Sequence, residues 1–270
     1  MQAEGDKAAM IKFCSLVSSS KGNAVLVSNG KANILIDCGI SKRRTAEALT
    51  RAGVSPHEID AILVTHEHSD HISGVGVMSR GFDIPVYANE ETWAAMERSL
   101  GRVDEKNMKR FQMGEQFEIN GVGILPFATP HDAARSVGYS LYTEGLKLSV
   151  ATDMGHVDES VVESICGSDI VLLEANHDVE MLRNGRYPAM LKKRILGELG
   201  HLSNDASAQI AVRLLQSGTR AILLGHLSEE NNLPDVAYAA VRDALSGAGA
   251  RVERDIRLAV ANRYEVSGMF

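Results

Sequence analysis

The sequence predicts an α/β fold: one domain of two facing sheets with helices on the outside. Three observations predict it. Apolar runs of strand length, rich in β-branched residues, recur along the chain and are too short for helices. Segments with a helical period follow them in both the first and the second half. No linker, low-complexity tract or internal repeat divides the 270 residues, a length that suits one large domain.

In chain order, residues 11–17 and 24–27 read as strands. The stretch Ser18-Ser19-Ser20-Lys21-Gly22-Asn23 between them is either a nest of backbone N–H groups for an anion or an ordinary hairpin turn. Residues 33–37 form a third strand, and 42–52 a helix that Gly53 stops. Residues 61–64 are a short buried strand. The apolar, glycine-containing stretch 72–78 receives no element. A strand at 85–88 precedes a helix at 90–100 whose Trp93, Met96 and Leu100 stripe is core. Lys106, Lys109 and Arg110 read as solvated surface. Asn120-Gly121 joins strands 117–119 and 122–127, and Glu144-Gly145 joins 137–142 to 146–151. Strands at 169–173 and 220–224 flank a helix that Ser203 or Asn204 caps and that runs to Leu215. Pro234 opens a last helix to Leu245, and 256–261 closes the fold as a strand.

Composition narrows the class. With 44% hydrophobic residues and no apolar run long enough to span a membrane, the chain reads as a soluble protein without membrane partners. Met1–Ala9 is polar and lacks the apolar core of a signal peptide, so a disordered extension is expected there, with the folded domain from residue 10 to 270. Cys14, Cys38 and Cys166 are scattered, which excludes a disulfide framework and fits buried small residues in a cytoplasmic protein. A net charge of −7 argues against indiscriminate nucleic-acid binding but permits a local basic track. No oligomeric state follows from the sequence.

The chemistry concentrates in Thr65-His66-Glu67-His68-Ser69-Asp70-His71, directly after the strand at 61–64. Imidazole and carboxylate together suit zinc, manganese or iron, and the lack of cysteine argues against a closed structural zinc site. His66 and His68 alternate along one face of an extended segment and reach one metal; Asp70 and His71 reach a second.

His66-x-His68-x-Asp70-His71 resembles the signature of the metallo-β-lactamase-fold hydrolases. The resemblance implies an αββα four-layer sandwich with the metal site at one edge between the sheets. It implies two divalent metal ions per chain, zinc or manganese, able to hold a bridging hydroxide at neutral pH. His66, His68 and His131 would bind the first ion, and Asp70, His71 and His226 the second, with Asp153 bridging. Asp37 would support the metal loop from behind, and Asp70 would also orient the nucleophile. Glu67 is expected to point away, and His156 stays outside the ligand set. A redox di-iron version of the fold would show a carboxylate where His68 stands, so hydrolysis is favoured.

Two features favour phosphodiesters. Arg183, Arg186, Lys192, Lys193 and Arg194 form a dense basic segment, either a track for a phosphate backbone or a solvated helical face. Glu174 and Gly200-His201-Leu202-Ser203 resemble the accessory glutamate and histidine of ribonuclease-Z-like phosphodiesterases. Together with Ser19–Asn23, Leu173–Asp178, Tyr187-Pro188, Leu191–Ile195 and Gly200–Asn204, they resemble the bacterial YycJ/WalJ-type exonuclease branch, which implies 5′–3′ exodeoxyribonuclease activity. Glu174 and His201 would then be catalytic, the histidine as general acid and the glutamate holding its imidazole; the alternative is that His201 only caps local backbone or binds substrate phosphate. The lack of a transfer-RNA exosite arm favours DNA as substrate. A small-molecule phosphodiesterase or ribonuclease of the same fold, and a non-catalytic binding module, are the competing readings.

Overall fold

The computed structural model describes residues 11–268; the expected extension at Met1–Ala9 lies outside them. One sheet contains β1 (Lys12–Ser19), β2 (Gly22–Ser28), β3 (Asn33–Ile36), β4 (Ala61–Leu63), β5 (Val86–Ala88) and β6 (Met108–Arg110), side by side in that order. Its first three strands are antiparallel and β3 to β6 are parallel. The second sheet contains β7 (Phe117–Ile119), β8 (Val122–Ala128), β9 (Val137–Thr143), β10 (Leu146–Ala151), β11 (Ile170–Glu174), β12 (Ala221–Gly225) and β13 (Arg257–Val260). It is antiparallel from β7 to β10 and parallel from β10 to β13.

The helices are α1 (Lys42–Arg51), α2 (Ser69–Ile72), α3 (Val75–Phe82), α4 (Glu90–Leu100), α5 (Glu159–Ile165), α6 (Val179–Asn184), α7 (Ala189–Ile195), α8 (Asn204–Gln216) and α9 (Pro234–Gly247). Among the described residues, no helix is long and apolar enough to cross a membrane.

Each sheet is covered on both faces, and this is why its strands read as unbroken apolar runs. Ile34, Ile36, Ala61 and Leu63 pack between the sheets against Tyr139, Leu148, Val150, Leu172 and Leu223. Their neighbours Leu35 and Ile62 point the other way, into the core shared with Leu49, Met78, Trp93 and Met96. Val171, Leu173, Ile222 and Leu224 pack outward against α5, α8 and α9 through Val162, Ile210, Leu214 and Val241. The period-two alternation of strands thus separates three apolar layers, which makes the αββα sandwich.

Some local elements differ from the sequence reading. The stretch 18–23 is mostly strand: Ser18 pairs with Asn23 and Ser19 with Gly22, so the turn is only Ser20-Lys21. The N–H of Ser19 donates to Asn23 Oδ1 and that of Lys21 to Ser19 Oγ, so the stretch is the hairpin turn of the two readings and uses both groups internally. The stretch 72–78 enters α3, whereas Lys106, Lys109 and Arg110 are exposed as expected, the last two on the edge strand β6. Helix α5 went unread because Val161, Val162 and Ile165 are β-branched and mask its period; Asp158 caps it by accepting from the N–H groups of Ser160 and Val161. Cys14 and Cys38 are buried as expected, whereas Cys166 is only half-buried.

Candidate metal centre and substrate cleft

The candidate residues gather where parallel strands end, the edge at which α/β sheets bind ligands. Asp37 leaves β3, the His66–His71 loop follows β4, Asp153 leaves β10, Glu174 ends β11 and His226 leaves β12. Asp37, Asp153 and His226 hold left-handed backbones with φ of 57°, 60° and 57°. Such conformations cost non-glycine residues about 1–3 kcal/mol each and persist only when neighbours fix them. Here the N–H of Asp37 donates to the Leu63 carbonyl at 2.8 Å and that of His226 to Ser18 Oγ at 2.7 Å. Gly39 locks the loop from behind: a Cβ there would lie 1.6 Å from the Asp70 carbonyl oxygen.

Four imidazoles are oriented alike. Nδ1 of His71 lies 2.7 Å from Asp37 Oδ2, that of His66 3.0 Å from Thr65 Oγ1, that of His131 3.0 Å from the Gly200 carbonyl, and that of His226 2.9 Å from Glu174 Oε1. Each partner accepts a proton from Nδ1 and leaves Nε2 as the free donor atom. His68 differs: its Nδ1 lies 3.3 Å from His131 Nε2 and is the atom facing that group. Asp37 also accepts from the Thr65 N–H and hydroxyl, both at 2.8 Å, so one carboxylate fixes the start of the loop and the ring of His71.

Four sets of donor atoms lie within 4.8 Å of one another: His66, His68 and His131; Asp70, His71 and His226; His66, His71 and Asp153; and Asp153, Glu174, His201 and His226. The Asp153 carboxylate stands 3.4 Å from His71 Nε2 and 3.8 Å from His131 Nε2, adjoining both of the first two sets. Ligands about 2 Å from a tetrahedral ion are separated by about 3.3 Å, so these spacings fit divalent metals. A second observation agrees. His66 Nε2 and Asp153 Oδ2 are buried with no hydrogen-bond partner, a costly state that a cation relieves.

The electrostatics follow from the crowding. Burial alone would raise the Asp153 carboxyl, but His226, His71, His66 and His131 outweigh it and hold the group well below the usual carboxylate range. Burial pushes the His66 imidazole well below its ordinary value. Burial would also lower His226, yet Asp153, Asp70 and Glu174 push it up to about 10. His71 is raised in the same way by Asp153, Asp37 and Asp70.

Glu174 ends β11 beside His201, the neighbour the sequence reading gave it. It is completely buried, so it cannot touch a substrate. Its Oε1 lies 2.8 Å from His201 Nδ1 and 2.9 Å from His226 Nδ1, and its Oε2 accepts from the Met154 N–H at 2.8 Å and the Leu202 N–H at 3.2 Å. Burial would raise its carboxyl, but the charge and hydrogen bond of His201, with the bond to His226, bring it to about 2. Glu174 is thus an ionised brace that positions two imidazoles at once. His201 itself lines the open cleft.

That cleft has a volume of about 420 Å³ and reaches His68, Asp70, Asp153 and His226. Of the five cations read from the basic segment, Arg194 lines it. Arg183 instead pairs with Glu180 at 3.1 Å, Lys192 Nζ donates to the Arg183 carbonyl at 2.7 Å, and Arg186 and Lys193 are exposed. Arg194 forks onto Asp132, with Nη2 donating to Oδ1 at 2.9 Å. Asp132 Oδ1 in turn lies 3.5 Å from His131 Nε2. Sequence reasoning missed Asp132, although it directly follows His131, and missed Lys21 on the opposite rim, which is ion-paired with Glu229. Glu67 points away as expected and accepts from the Ala134 N–H, while His156 Nδ1 is held by the Glu198 carbonyl, outside the donor sets.

A beta-lactamase superfamily domain matches residues 32–226. The chain is 40% identical over 249 residues to exodeoxyribonuclease WalJ of Streptococcus pneumoniae, covering 92% of this chain and 93% of that one. It is 38% identical to exodeoxyribonuclease YycJ of Bacillus anthracis, over 88% and 90% of the two chains. In fold it is similar to the metallo-β-lactamase fold protein YhfI of Bacillus subtilis, with a TM-score of 0.72, 16% identity and 96% and 99% coverage. Zinc-bound PqqB of Methylobacterium extorquens gives a TM-score of 0.68 at 18% identity over 95% and 99%. By sequence and by architecture, this chain belongs to the β-lactamase superfamily, as a hydrolase of the metallo-β-lactamase fold.

Proposed function

We propose that the chain is a 5′–3′ DNA exonuclease that works with two divalent ions per chain, zinc or manganese. The observation that carries the reading is the convergence of seven imidazole and carboxylate side chains beside a Glu174–His201 pair whose carboxylate also holds His226, in a cleft edged by Lys21 and Arg194. Similarity along about nine-tenths of the chain to proteins named exodeoxyribonucleases supports DNA as the polymer.

In this reading His66, His68 and His131 hold one ion, Asp70, His71 and His226 the other, and Asp153 touches both. Bound as a pair, such ions supply a nucleophile from water at neutral pH and neutralise charge on the attacked phosphate. Asp70 Oδ2 faces His71 and His226 at 3.5 Å each, while Oδ1 makes no hydrogen bond within the described residues and is placed to orient the attacking water. Arg194 and Lys21 meet backbone phosphates. His201, its Nδ1 braced by the ionised Glu174, gives a proton from Nε2 to the departing sugar oxygen.

The test is hydrolysis of end-labelled single- and double-stranded DNA and RNA with zinc, manganese or magnesium. The expected result is early release of a 5′ label as a mononucleotide from DNA, with a 3′ label kept on shortening strands. Cleavage of RNA with DNA left intact, or of bis-p-nitrophenyl phosphate alone, overturns it. Arg194→Gln is expected to raise KM for long single-stranded DNA and to lower the log–log salt slope of binding by about 0.7, one phosphate contact. Hydrolysis of bis-p-nitrophenyl phosphate should stay near the parent level. Replacing the exposed Arg186 and Lys193 together should change KM less.

A further inference from the structure

One polar side chain reaches the donor cluster without belonging to it. Asn23 is the second residue of β2, buried where the β1–β2 hairpin meets the His66–His71 loop. Its amide clasps the main chain of Ser19: Oδ1 accepts from the Ser19 N–H at 3.1 Å, and Nδ2 donates to the Ser19 carbonyl at 2.9 Å. Turned over, the amide would set oxygen against oxygen and N–H against N–H, so one orientation is fixed. Nδ2 carries two hydrogens, and only one goes to Ser19. The other is left for His71 Nε2 at 3.2 Å and Asp70 Oδ2 at 3.5 Å, two atoms of one donor set.

The main chain holds this approach in place. The Gly39 N–H donates to the Asn23 carbonyl at 2.8 Å. A Cβ on Gly39 would lie 2.8 Å from the Asn23 nitrogen as well as against the Asp70 carbonyl. Hairpin and metal loop thus press on the same glycine from two sides.

Asn23 is no ligand in this orientation. Its oxygen is turned to Ser19, and the lone pair of an amide nitrogen is delocalised into the carbonyl. The nitrogen can only donate. Once His71 Nε2 gives its lone pair to an ion it no longer accepts, and of the two neighbours Asp70 Oδ2, which has further lone pairs, takes the hydrogen.

We propose that Asn23 is a positioning residue whose N–H holds Asp70 Oδ2 in the set with His71 and His226 and so leaves Oδ1 for the attacking water. This rests on the two-ion nuclease reading above and adds the residue that decides which carboxylate oxygen takes which role.

The experiment strips metal from the full chain of the parent, Asn23→Ala and Asn23→Asp and titrates zinc back against a chromogenic chelator. It then measures hydrolysis of DNA and of bis-p-nitrophenyl phosphate at saturating zinc or manganese. Asn23→Ala should weaken one of the two ions by about 10- to 100-fold. Added to His226→Ala, it should leave the ion which that variant keeps at unchanged affinity. At saturating metal its kcat should fall on both substrates by a similar factor, with KM for DNA unchanged. Asn23→Asp puts an oxygen in the place of the N–H. It should hold the ion at least as tightly as the parent and still lose kcat as Asn23→Ala does. A loosened hairpin alone would instead lower affinity and kcat together in both variants. That outcome, parent affinity for both ions in Asn23→Ala, equal weakening of both, or parent kcat in both variants overturns the proposal and leaves the nuclease reading in place. A parent that binds a single ion overturns both. A parent that binds two ions and cleaves no DNA overturns the nuclease reading, while the zinc titrations still decide the role of Asn23.

Discussion

Asp153→Ala is expected to abolish hydrolysis and to lower bound metal from two ions per chain to one or none. Its carboxylate is buried among His71, His131 and His226, at 3.4 Å, 3.8 Å and 3.4 Å, and touches both proposed sites. His226→Ala removes a donor from the sets it shares with Asp70 and His71 and with Asp153, Glu174 and His201, and should spare the ion among His66, His68 and His131. Elemental analysis of protein prepared with metal supplied separates the two outcomes; two ions retained in Asp153→Ala would sink the bridging role. The cluster also sets the sign of the pH dependence. Without metal, the surrounding carboxylates raise His71 and His226, so both hold protons at neutral pH. A metal takes the neutral ring, so loading must release those protons and affinity must tighten as pH rises. Metal titrations at two pH values in a weakly chelating buffer check this, and affinity that is flat or falls with pH counts against it.

His201→Ala is expected to slow DNA cleavage by about 10²–10⁴, the usual contribution of a general acid, with metal content unchanged. An alkoxide leaving from phosphorus needs a proton on the side opposite the attacking water. His201 is outside the two ligand sets proposed for the ions, although its donor atom also groups with Asp153, Glu174 and His226; it lines the cleft and has Nδ1 held 2.8 Å from an ionised carboxylate. The loss should shrink for a p-nitrophenyl ester, whose leaving group departs without a proton. A loss independent of leaving group would assign His201 to binding. Glu174→Gln should differ from His201→Ala in kind, weakening the proton donor and also loosening metal, because the same Oε1 braces His226.

Much of this protein is legible from its sequence because the informative interactions are local. The strands read as unbroken apolar runs since both faces are buried, as with Ile34, Leu35 and Ile36. The Asn120-Gly121 and Glu144-Gly145 turns announce themselves through the positive φ that all four residues adopt. His66, His68, Asp70 and His71 lie within one loop, so their spacing alone suggests a metal site. Single residues such as His131, Asp153 and His226 acquire meaning only by resemblance to a family.

What the tertiary structure decided involves partners far apart in the chain. The Asp132–Arg194 fork, the Lys21–Glu229 pair and the double grip of Glu174 on His201 and His226 are invisible in a linear reading. The same holds for the basic segment: composition makes its five cations equivalent, whereas folding turns Arg194 into the cleft and sends Arg183 to Glu180. Composition and period report how a residue suits its own element. Which side chains meet depends on how two sheets stack their strand ends at one edge, and that geometry is set by the whole core.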